Sequence, residues 1–201
     1  MSRIIFLVLL VCSVMSAGVR ADTISTIWSD GFESGNTDNW WTSNNTNWQV
    51  VSANSAYVHS GSYRVQVIGA SEPNGDIMLL AESTLGWKNL ELHYWSKATS
   101  DVLESIDHIY VEWSSDYGAS WYQLADHKDT SIGNWRELFF ALPDEASDNS
   151  LFQLRFRAVL SSVSDSMWFD DVSLSATPVP EPSTMILLFS GLSALLLFRK
   201  K

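Results

Sequence analysis

A two-residue alternation of apolar and polar side chains constrains the fold of this chain more than any other feature of its sequence. The alternation is clear at 63–67, 90–94, 109–113 and 152–158. It is typical of β-strands that bury one face, and helical spacing hardly appears. Turn-rich segments separate the strands, among them SGNTDN (34–39), SEPNGD (71–76), SSDYGAS (114–120) and PDEASDNS (143–150). The sequence therefore predicts an all-β protein built as an antiparallel β-sandwich.

Residues 1–21 have the pattern of a secretory signal peptide. Arg3 supplies a positive charge, an apolar stretch follows, and Val19-Arg20-Ala21 offers a small-x-small cleavage pattern. The only cysteine, Cys12, lies in the apolar stretch. An exported body without disulfides must be stabilised by its hydrophobic core, with or without a bound metal.

The C-terminus combines three features in order. The motif Val179-Pro180-Glu181-Pro182-Ser183 precedes an apolar run at about 184–198, a predicted transmembrane helix, and the chain ends in Arg199-Lys200-Lys201. This arrangement, over 177–201, resembles the PEP-CTERM sorting signal of Gram-negative bacteria. An ordinary transmembrane anchor behind a proline-rich linker is the alternative, and in both cases the body faces outward.

The resemblance to PEP-CTERM proteins implies a route through the cell. The tail would hold the chain transiently in the inner membrane, and an exosortase-type enzyme would process it. The body would then reach the cell surface or the extracellular matrix, commonly in a host that makes exopolysaccharide.

The body, predicted as one domain over 22–176, is strongly acidic. Between positions 22 and 178, seven Lys or Arg stand against 22 Asp or Glu, a net charge near −15. Such a surface repels phosphate backbones and has no basic stripe, so nucleic acid is not expected as a partner. Divalent cations are more plausible partners.

Three short segments suggest a place for such a cation: DGFES (30–34), HSGSY (59–63) and WFDDVSLS (168–175). Counting in twos from Val172 places Asp170 on the inward face and Asp171 on the outward face. A buried carboxylate needs a partner, and Ca²⁺ binds carboxylate and carbonyl oxygens. The alternative is that Asp170 accepts hydrogen bonds from backbone amides without an ion.

The order of these segments resembles secreted jelly-roll domains of the MAM-like and carbohydrate-binding-module type. In such domains an FE pair near the first strand and a DDV in the last often hold a structural calcium. The resemblance implies Glu33 and Asp170 as side-chain ligands, and Asp30 or Asp171 as further candidates.

The segment from Ser114 to Trp121 fits the Asp-box pattern Ser-x-Asp-x-Gly-x-x-Trp. Asp116 and Gly118 favour a tight hairpin, with Trp121 packed beneath it. We expect this motif to be structural and to carry no activity.

A cluster of tryptophans provides the candidate ligand-binding residues. Trp40, Trp41 and Trp48 lie among four asparagines, and Trp95 is a second candidate on a polar strand face. Aromatic rings beside amide groups suit sugar binding, because the rings contact apolar sugar faces while the amides bind hydroxyls. The alternative is that Trp40 or Trp41 fills the core and that Trp48 begins a strand.

Catalytic motifs are absent from the sequence. It has no Gly-x-Ser-x-Gly, and its four histidines lack zinc-binding spacing. We therefore predict a non-enzymatic, exported module that binds polysaccharide or another surface component. The alternatives are a structural envelope or biofilm protein without a defined ligand, and a glycan hydrolase or lyase on the same scaffold.

Overall fold

The computed structural model describes residues 23–43, 46–54, 56–69, 76–98, 106–127 and 133–179. The predicted signal peptide and the predicted transmembrane helix at 184–198 lie outside these residues. Within the described ranges, no helix is long and apolar enough to span a membrane.

The described chain forms two antiparallel sheets, which confirms the predicted all-β sandwich. The first has six strands: β1 (Ser25–Asp30), β3 (Trp48–Ser52), β4 (Tyr63–Ile68), β6 (Trp87–Ala98), β9 (Arg136–Ala141) and β11 (Ser166–Pro178). The second has five strands: β2 (Trp41–Thr42), β5 (Asp76–Ala81), β7 (His108–Ser114), β8 (Tyr122–Asp126) and β10 (Gln153–Val159).

The strand order places the long last strand in the middle of the first sheet. That order is β3-β4-β11-β6-β9, and β1 pairs with the second half of β11. The five-stranded sheet has the order β2-β5-β10-β7-β8. Neighbouring strands within a sheet are mostly distant in sequence, so the first and last parts of the body depend on each other for folding.

Aromatic rings from both sheets fill the space between them. Phe156 of β10 lies 4.8 Å from Phe169 of β11 and 5.4 Å from Tyr94 of β6, measured between ring centroids. Trp40 and Trp48 belong to the same core, with 5% and 1% of their surface exposed. Burial of such large rings is the main source of stability in a body without disulfides.

The last strand changes face at Asp171, which corrects one sequence-based expectation. Asp171 has a φ of 48°, and the pairing of β11 with β6 shifts between Asp170 and Ser173. Phe169 and Val172 are consequently both in the core, three positions apart. Asp170 therefore lies on the outer face of the sheet, paired with Trp95, and the expected inward position was wrong because a bulge breaks the alternation.

The Asp-box forms the hairpin between β7 and β8, as predicted. The Ser114 hydroxyl donates to Asp116 Oδ1 and accepts from the Gly118 amide, while the Ser120 amide also donates to Asp116 Oδ1. These hydrogen bonds lower the pKa of Asp116, with the Ser120 amide as the largest cause. Gly118 has a φ of 83°, a conformation that strains any side chain, and a Cβ there would also lie 2.8 Å from Gln153 Oε1, which explains the glycine at this position.

Candidate functional site

The outer face of the six-stranded sheet is covered by a loop, 56–62, between β3 and β4. The His59 ring stacks on Trp95 with 3.7 Å between ring centroids, and Tyr57 packs edge-on against Trp168 at 5.8 Å. Trp135 lies 6.2 Å from Trp168 in the same group. We call this the covered face.

Two adjacent carboxylates hold the covering loop. Asp170, which has no exposed surface, accepts hydrogen bonds from the amides of His59, Ser60 and Asp171. Asp171 contacts His59 Nδ1 at 2.6 Å and accepts from the Ser60 hydroxyl at 2.9 Å. Burial, followed by the charge of Asp171, raises the pKa of Asp170 to about 6. The two carboxylates therefore hold the covering loop in place, although burial and the neighbouring negative charge disfavour the ionised form of Asp170.

The other two proposed calcium ligands also accept hydrogen bonds. Glu33 accepts from the amides of Ser62 and Tyr63. Asp30 accepts from the amide of Phe32 and from the Trp40 indole N–H. Glu33, Asp170 and Asp171 therefore all contact the segment 59–63.

These contacts do not form a metal cage. In the described ranges, no three His, Cys, Asp or Glu side chains are placed to share a metal ion. The residues do not fit a calcium ion as they stand, because Asp30, Glu33 and Asp170 each bind amide or indole N–H groups. Calcium remains a prediction from sequence, and the hydrogen bonds alone account for the position of the carboxylates.

The outer face of the five-stranded sheet carries a different set of side chains, and we call it the open face. Strand pairing aligns one row across all five strands: Trp41, Leu79, Arg155, Glu112 and Gln123. Directly paired residues share a face, and the alternate residues of these strands, such as Leu154 and Val111, are in the core. Trp41, at one end of the row, is 59% exposed.

An Arg–Glu–Arg triad occupies the middle of the open face. Glu112 Oε2 accepts from Arg155 Nε at 2.7 Å and from Arg157 Nε at 3.0 Å, and its Oε1 accepts from Arg157 Nη2 at 3.0 Å. Burial raises the pKa of Glu112, but the hydrogen bonds and charges of Arg157 and Arg155 outweigh burial and leave it below its ordinary value. Glu112 is therefore an ionised acceptor at neutral pH.

Aromatic rings support both arginines of the triad. The Arg155 guanidinium lies 3.8 Å from the Trp121 ring centroid, and that of Arg157 lies 4.2 Å from Tyr110. Tyr110 stacks in turn on His108, with ring planes inclined by only 6°. Cation–π contacts hold both guanidinium groups beside these rings, so their positions are fixed before any ligand binds.

The predicted ligand-binding residues are separated by the structure. Trp40 and Trp48 are core residues, and their assignment to a ligand site was wrong, because the first packs against Phe32 and Phe156 and the second begins β3. Trp95 is stacked beneath His59 on the covered face. Trp41 alone among the four lies on the open face.

Sequence reasoning did not select the residues at the centre of the open face. The alternation at 152–158 predicts only that Arg155 and Arg157 lie on the polar side of a strand, and the alternation at 109–113 predicts the same for Tyr110 and Glu112. The overlooked signal was that two of the seven body cations lie two positions apart on one strand. The pairing of β10 with β7 places Glu112 and Tyr110 beside these two arginines, and the sequence does not reveal that pairing.

Comparison with known proteins identifies the C-terminal segment and relates the fold of the body to solved structures. Residues 178–201 match the PEP-CTERM protein-sorting motif, which implies a protein that passes through the membrane, is processed by an exosortase and becomes extracellular. No curated protein is significantly similar to the chain in sequence.

Several solved structures share the sandwich. TmCBM61, solved in complex with β-1,4-galactotriose, has a TM-score of 0.52 at 20% identity, covering 72% of this chain and 92% of that one. The CBM22-1 xylan-binding domain of Xyn10C from Paenibacillus barcinonensis has a TM-score of 0.54 at 15% identity, covering 80% and 100%.

A third related structure is an adhesin module. The K3 cleaved adhesin domain of Lys-gingipain from Porphyromonas gingivalis has a TM-score of 0.55 at 16% identity, covering 76% of this chain and 99% of that one. At these identities the likeness concerns the fold, which is that of carbohydrate-binding modules and adhesin domains. The MAM-like part of the resemblance stays a prediction.

Proposed function

We propose that this protein is an exported surface or matrix module that binds a polysaccharide chain on its open face. The observation that carries the proposal is the row from Trp41 to Gln123, which crosses all five strands and combines an exposed ring with fixed charged groups. Neighbouring strands are about 4.8 Å apart, so the row extends over roughly 19 Å, enough for several sugar units.

The chemistry of the row suits hydroxyl-rich ligands. Trp41 offers an apolar ring face, the arginines offer N–H donors, and Glu112 and Gln123 offer acceptors. Polar groups that are already held in place lose little conformational entropy when a ligand binds. A sugar chain would then find stacking and hydrogen bonding on one rigid surface.

Charge narrows the class of polysaccharide. The body carries a net charge near −15, from seven Lys or Arg against 22 Asp or Glu at 22–178. A surface of this charge repels polyanions at low ionic strength. The single excess positive charge of the triad is small beside it, so a neutral glycan is the better fit for the open face.

The comparisons support this reading. TmCBM61 was solved with a galactotriose, the CBM22-1 domain is described as xylan-binding, and the Lys-gingipain domain is an adhesin. The sorting motif supports delivery to the outside of the cell, where polysaccharide is accessible. Adhesion or matrix organisation follows as the role in the cell.

The triad argues against a glycan hydrolase or lyase on this face. A glycosidase acid must hold a proton near neutral pH, whereas the pKa of Glu112 lies below its ordinary value. Asp126, another carboxylate on this face, contacts His108 Nδ1 at 2.9 Å. Glu112 therefore lacks the proton that a general acid must donate.

Affinity electrophoresis in gels containing neutral polysaccharides, including the exopolysaccharide of the host, tests the proposal. We expect retardation of the protein by at least one glycan, and a loss of affinity of about tenfold, near 1.4 kcal/mol, in Trp41→Ala and in Arg155→Gln. Phe139→Ala is the matched control, because Phe139 is an exposed ring on the six-stranded sheet.

Two results would count against the open face. An equal loss of glycan affinity in Phe139→Ala and Trp41→Ala would show that exposed rings contribute to binding on either sheet. No retardation by any glycan would favour the alternative role, a structural envelope or biofilm protein without a defined ligand. Circular dichroism of each variant would establish that its fold is intact.

A further inference from the structure

The first and last strands of the body leave the sandwich at the same end, which we call the tail end. Ser25, the first residue of β1, pairs with Ala176 near the end of β11. The chain then continues through Val179, whose amide donates to the Gly86 carbonyl at 2.8 Å. The predicted signal peptide and the predicted transmembrane helix are therefore both attached to the tail end of the body.

The rest of the tail end consists of three loops, at 82–86, 115–121 and 142–152. Hydrogen bonds join these loops to one another. The Thr84 amide donates to the Asn149 carbonyl at 2.8 Å, and Asn149 Nδ2 donates to the Ser115 carbonyl at 2.9 Å. The Tyr117 amide donates to the Leu151 carbonyl at 3.1 Å. The tail end is therefore one connected surface and not three separate loops.

Large apolar side chains are exposed at the tail end. Leu85 is 57% exposed, Tyr117 68% and Leu151 48%, and each comes from a different loop. Ile24 and Val179, beside the two points where the chain leaves the sandwich, are exposed as well. Exposed apolar side chains that gather at one place mark a surface that contacts a partner or a membrane.

The length of the tail restricts what can lie against the tail end. The predicted transmembrane helix begins at about residue 184, about five residues after Val179. Five residues span at most about 18 Å, even when fully extended. The sorting motif at 178–201 also implies a protein that passes through the membrane. While the tail is anchored, the lipid headgroups are therefore the surface nearest to the tail end.

Charge indicates which lipids suit the tail end. Its three loops contain five Asp or Glu and no Lys or Arg. Asp148 accepts from the Gly86 amide, and Asp116 accepts from the Ser120 amide, so two of these carboxylates bind within the tail end. The acids repel anionic headgroups, whereas zwitterionic headgroups present an ammonium group to them. A zwitterionic membrane surface is therefore the better fit.

We propose that the tail end docks on the zwitterionic lipid headgroups of the membrane that holds the tail, with Leu85, Tyr117 and Leu151 inserted among them. Tyrosine favours the interface between lipid and water, and leucine adds apolar area. The short tether keeps the two surfaces at a high effective concentration, so weak contacts suffice for docking. The inference rests on the predicted anchor and is independent of the glycan site on the open face.

Quenching of a fluorescent label by brominated lipid tests the proposal. The full chain carries Cys12→Ser and a bimane label on one introduced cysteine, in nanodiscs of phosphatidylcholine that is brominated near the headgroup end of its acyl chains. We expect strong quenching at Tyr117→Cys and none at Val163→Cys, an exposed site at the opposite end, between β10 and β11. Adding phosphatidylglycerol at low ionic strength should weaken the quenching at Tyr117→Cys.

Two double variants separate docking from the effect of the tether alone. Combining Leu85→Ser with Leu151→Ser should lower the quenching at Tyr117→Cys about threefold or more, because membrane binding scales with buried apolar area. Ile106→Ser with Val163→Ser is the matched control, since it removes two exposed apolar side chains at the opposite end and should change nothing.

Three results would overturn the proposal. Undiminished quenching at Tyr117→Cys in the variant that lacks Leu85 and Leu151 would show that the tether alone brings the label near the lipid. Equal quenching at Tyr117→Cys and Val163→Cys would show that the body has no preferred end against the membrane. Absence of quenching at Tyr117→Cys would show that the tail end does not reach the lipid.

Discussion

The two outer faces of the sandwich carry similar side chains, but one face is covered by a loop and the other is open. On the covered face Arg64 lies 3.6 Å from the Trp168 ring centroid, and on the open face Arg155 lies 3.8 Å from that of Trp121. Each face also has a carboxylate with little exposure, Asp170 on the first and Glu112 on the second. Composition alone would not tell the faces apart.

The difference lies in the partners of the carboxylates. Asp170 accepts from the backbone of the covering loop, so its hydrogen bonds hold a segment of chain over the aromatic rings. Glu112 accepts from the side chains of Arg155 and Arg157, which belong to the neighbouring strand of the same sheet. A carboxylate bound to a loop closes a face, whereas one bound to a neighbouring strand leaves the face accessible.

Removing the carboxylate of the covered face should have the largest effect on stability. Asp170→Ala leaves two partly buried amides of the covering loop without an acceptor, at a cost of about 3 kcal/mol. Urea unfolding would measure the change, and glycan affinity of the folded fraction should stay as in the wild type. A change below about 0.5 kcal/mol would mean that the carboxylate does not hold the loop.

Neutralising the carboxylate of the open face should affect binding more than folding. Glu112→Gln leaves two guanidinium groups with a weaker acceptor, so we expect about a tenfold loss of glycan affinity and about 1–2 kcal/mol of stability. Affinity electrophoresis and urea unfolding of the same preparation would measure both. Unchanged affinity with lost stability would make the triad purely structural.

The two carboxylates should give pH dependences of opposite sign. Asp170 has a pKa raised to about 6, so the folded state holds its proton more tightly than the unfolded chain. Its contribution to stability is present below the unfolded pKa of about 3.9 and is lost as pH rises through 6. Glu112, whose pKa is lowered, contributes above the unfolded pKa of about 4.3 and loses that contribution as pH falls.

Free energies of unfolding measured between pH 3 and 7, for the wild type and for single variants, would separate the contributions of Asp170 and Glu112 to stability. Asp170→Asn should remove the decline of stability between about pH 4 and 6. Glu112→Gln should leave that decline in place and reduce the loss of stability at lower pH. The same profile in all three proteins would contradict the assignment of either pKa shift.

The smallest expected effect is that of calcium. Asp30, Glu33 and Asp170 already have hydrogen-bond donors, so the midpoint of thermal unfolding should be the same with calcium and with chelator. A rise of several degrees with calcium, lost in Asp170→Ala, would show that an ion binds at the covered face after all.

The alternation of residues sufficed to predict the class of fold and the positions of several strands. The long strands β6, β7 and β10 include all of the alternating segments at 90–94 and 109–113 and most of that at 152–158. The Asp-box hairpin was also predicted correctly, because its side chains bond within a few residues of one another. Local hydrogen bonding and period-2 patterns are the features that a single sequence displays.

The site could not be predicted to the same extent, because it depends on strand neighbours. The contact of Glu112 with Arg155 joins residues 43 positions apart. The inward position of Asp170 failed for a related reason, since the bulge at Asp171 moves one residue out of the alternation. Trp40 and Trp41 illustrate this limit, because the sequence left open which of them fills the core, and the structure shows that Trp40 is buried and Trp41 exposed.

Hydroxyl-radical footprinting with mass spectrometry, with and without a bound polysaccharide, would show directly whether the glycan lies on the open face. We expect protection of Trp41, Tyr110 and Trp121 on the open face, while Tyr57 and Phe139 on the six-stranded sheet are oxidised as in the free protein. Protection of Tyr57 or Phe139, with Trp41 unchanged, would place binding on the other sheet and rule out the open face.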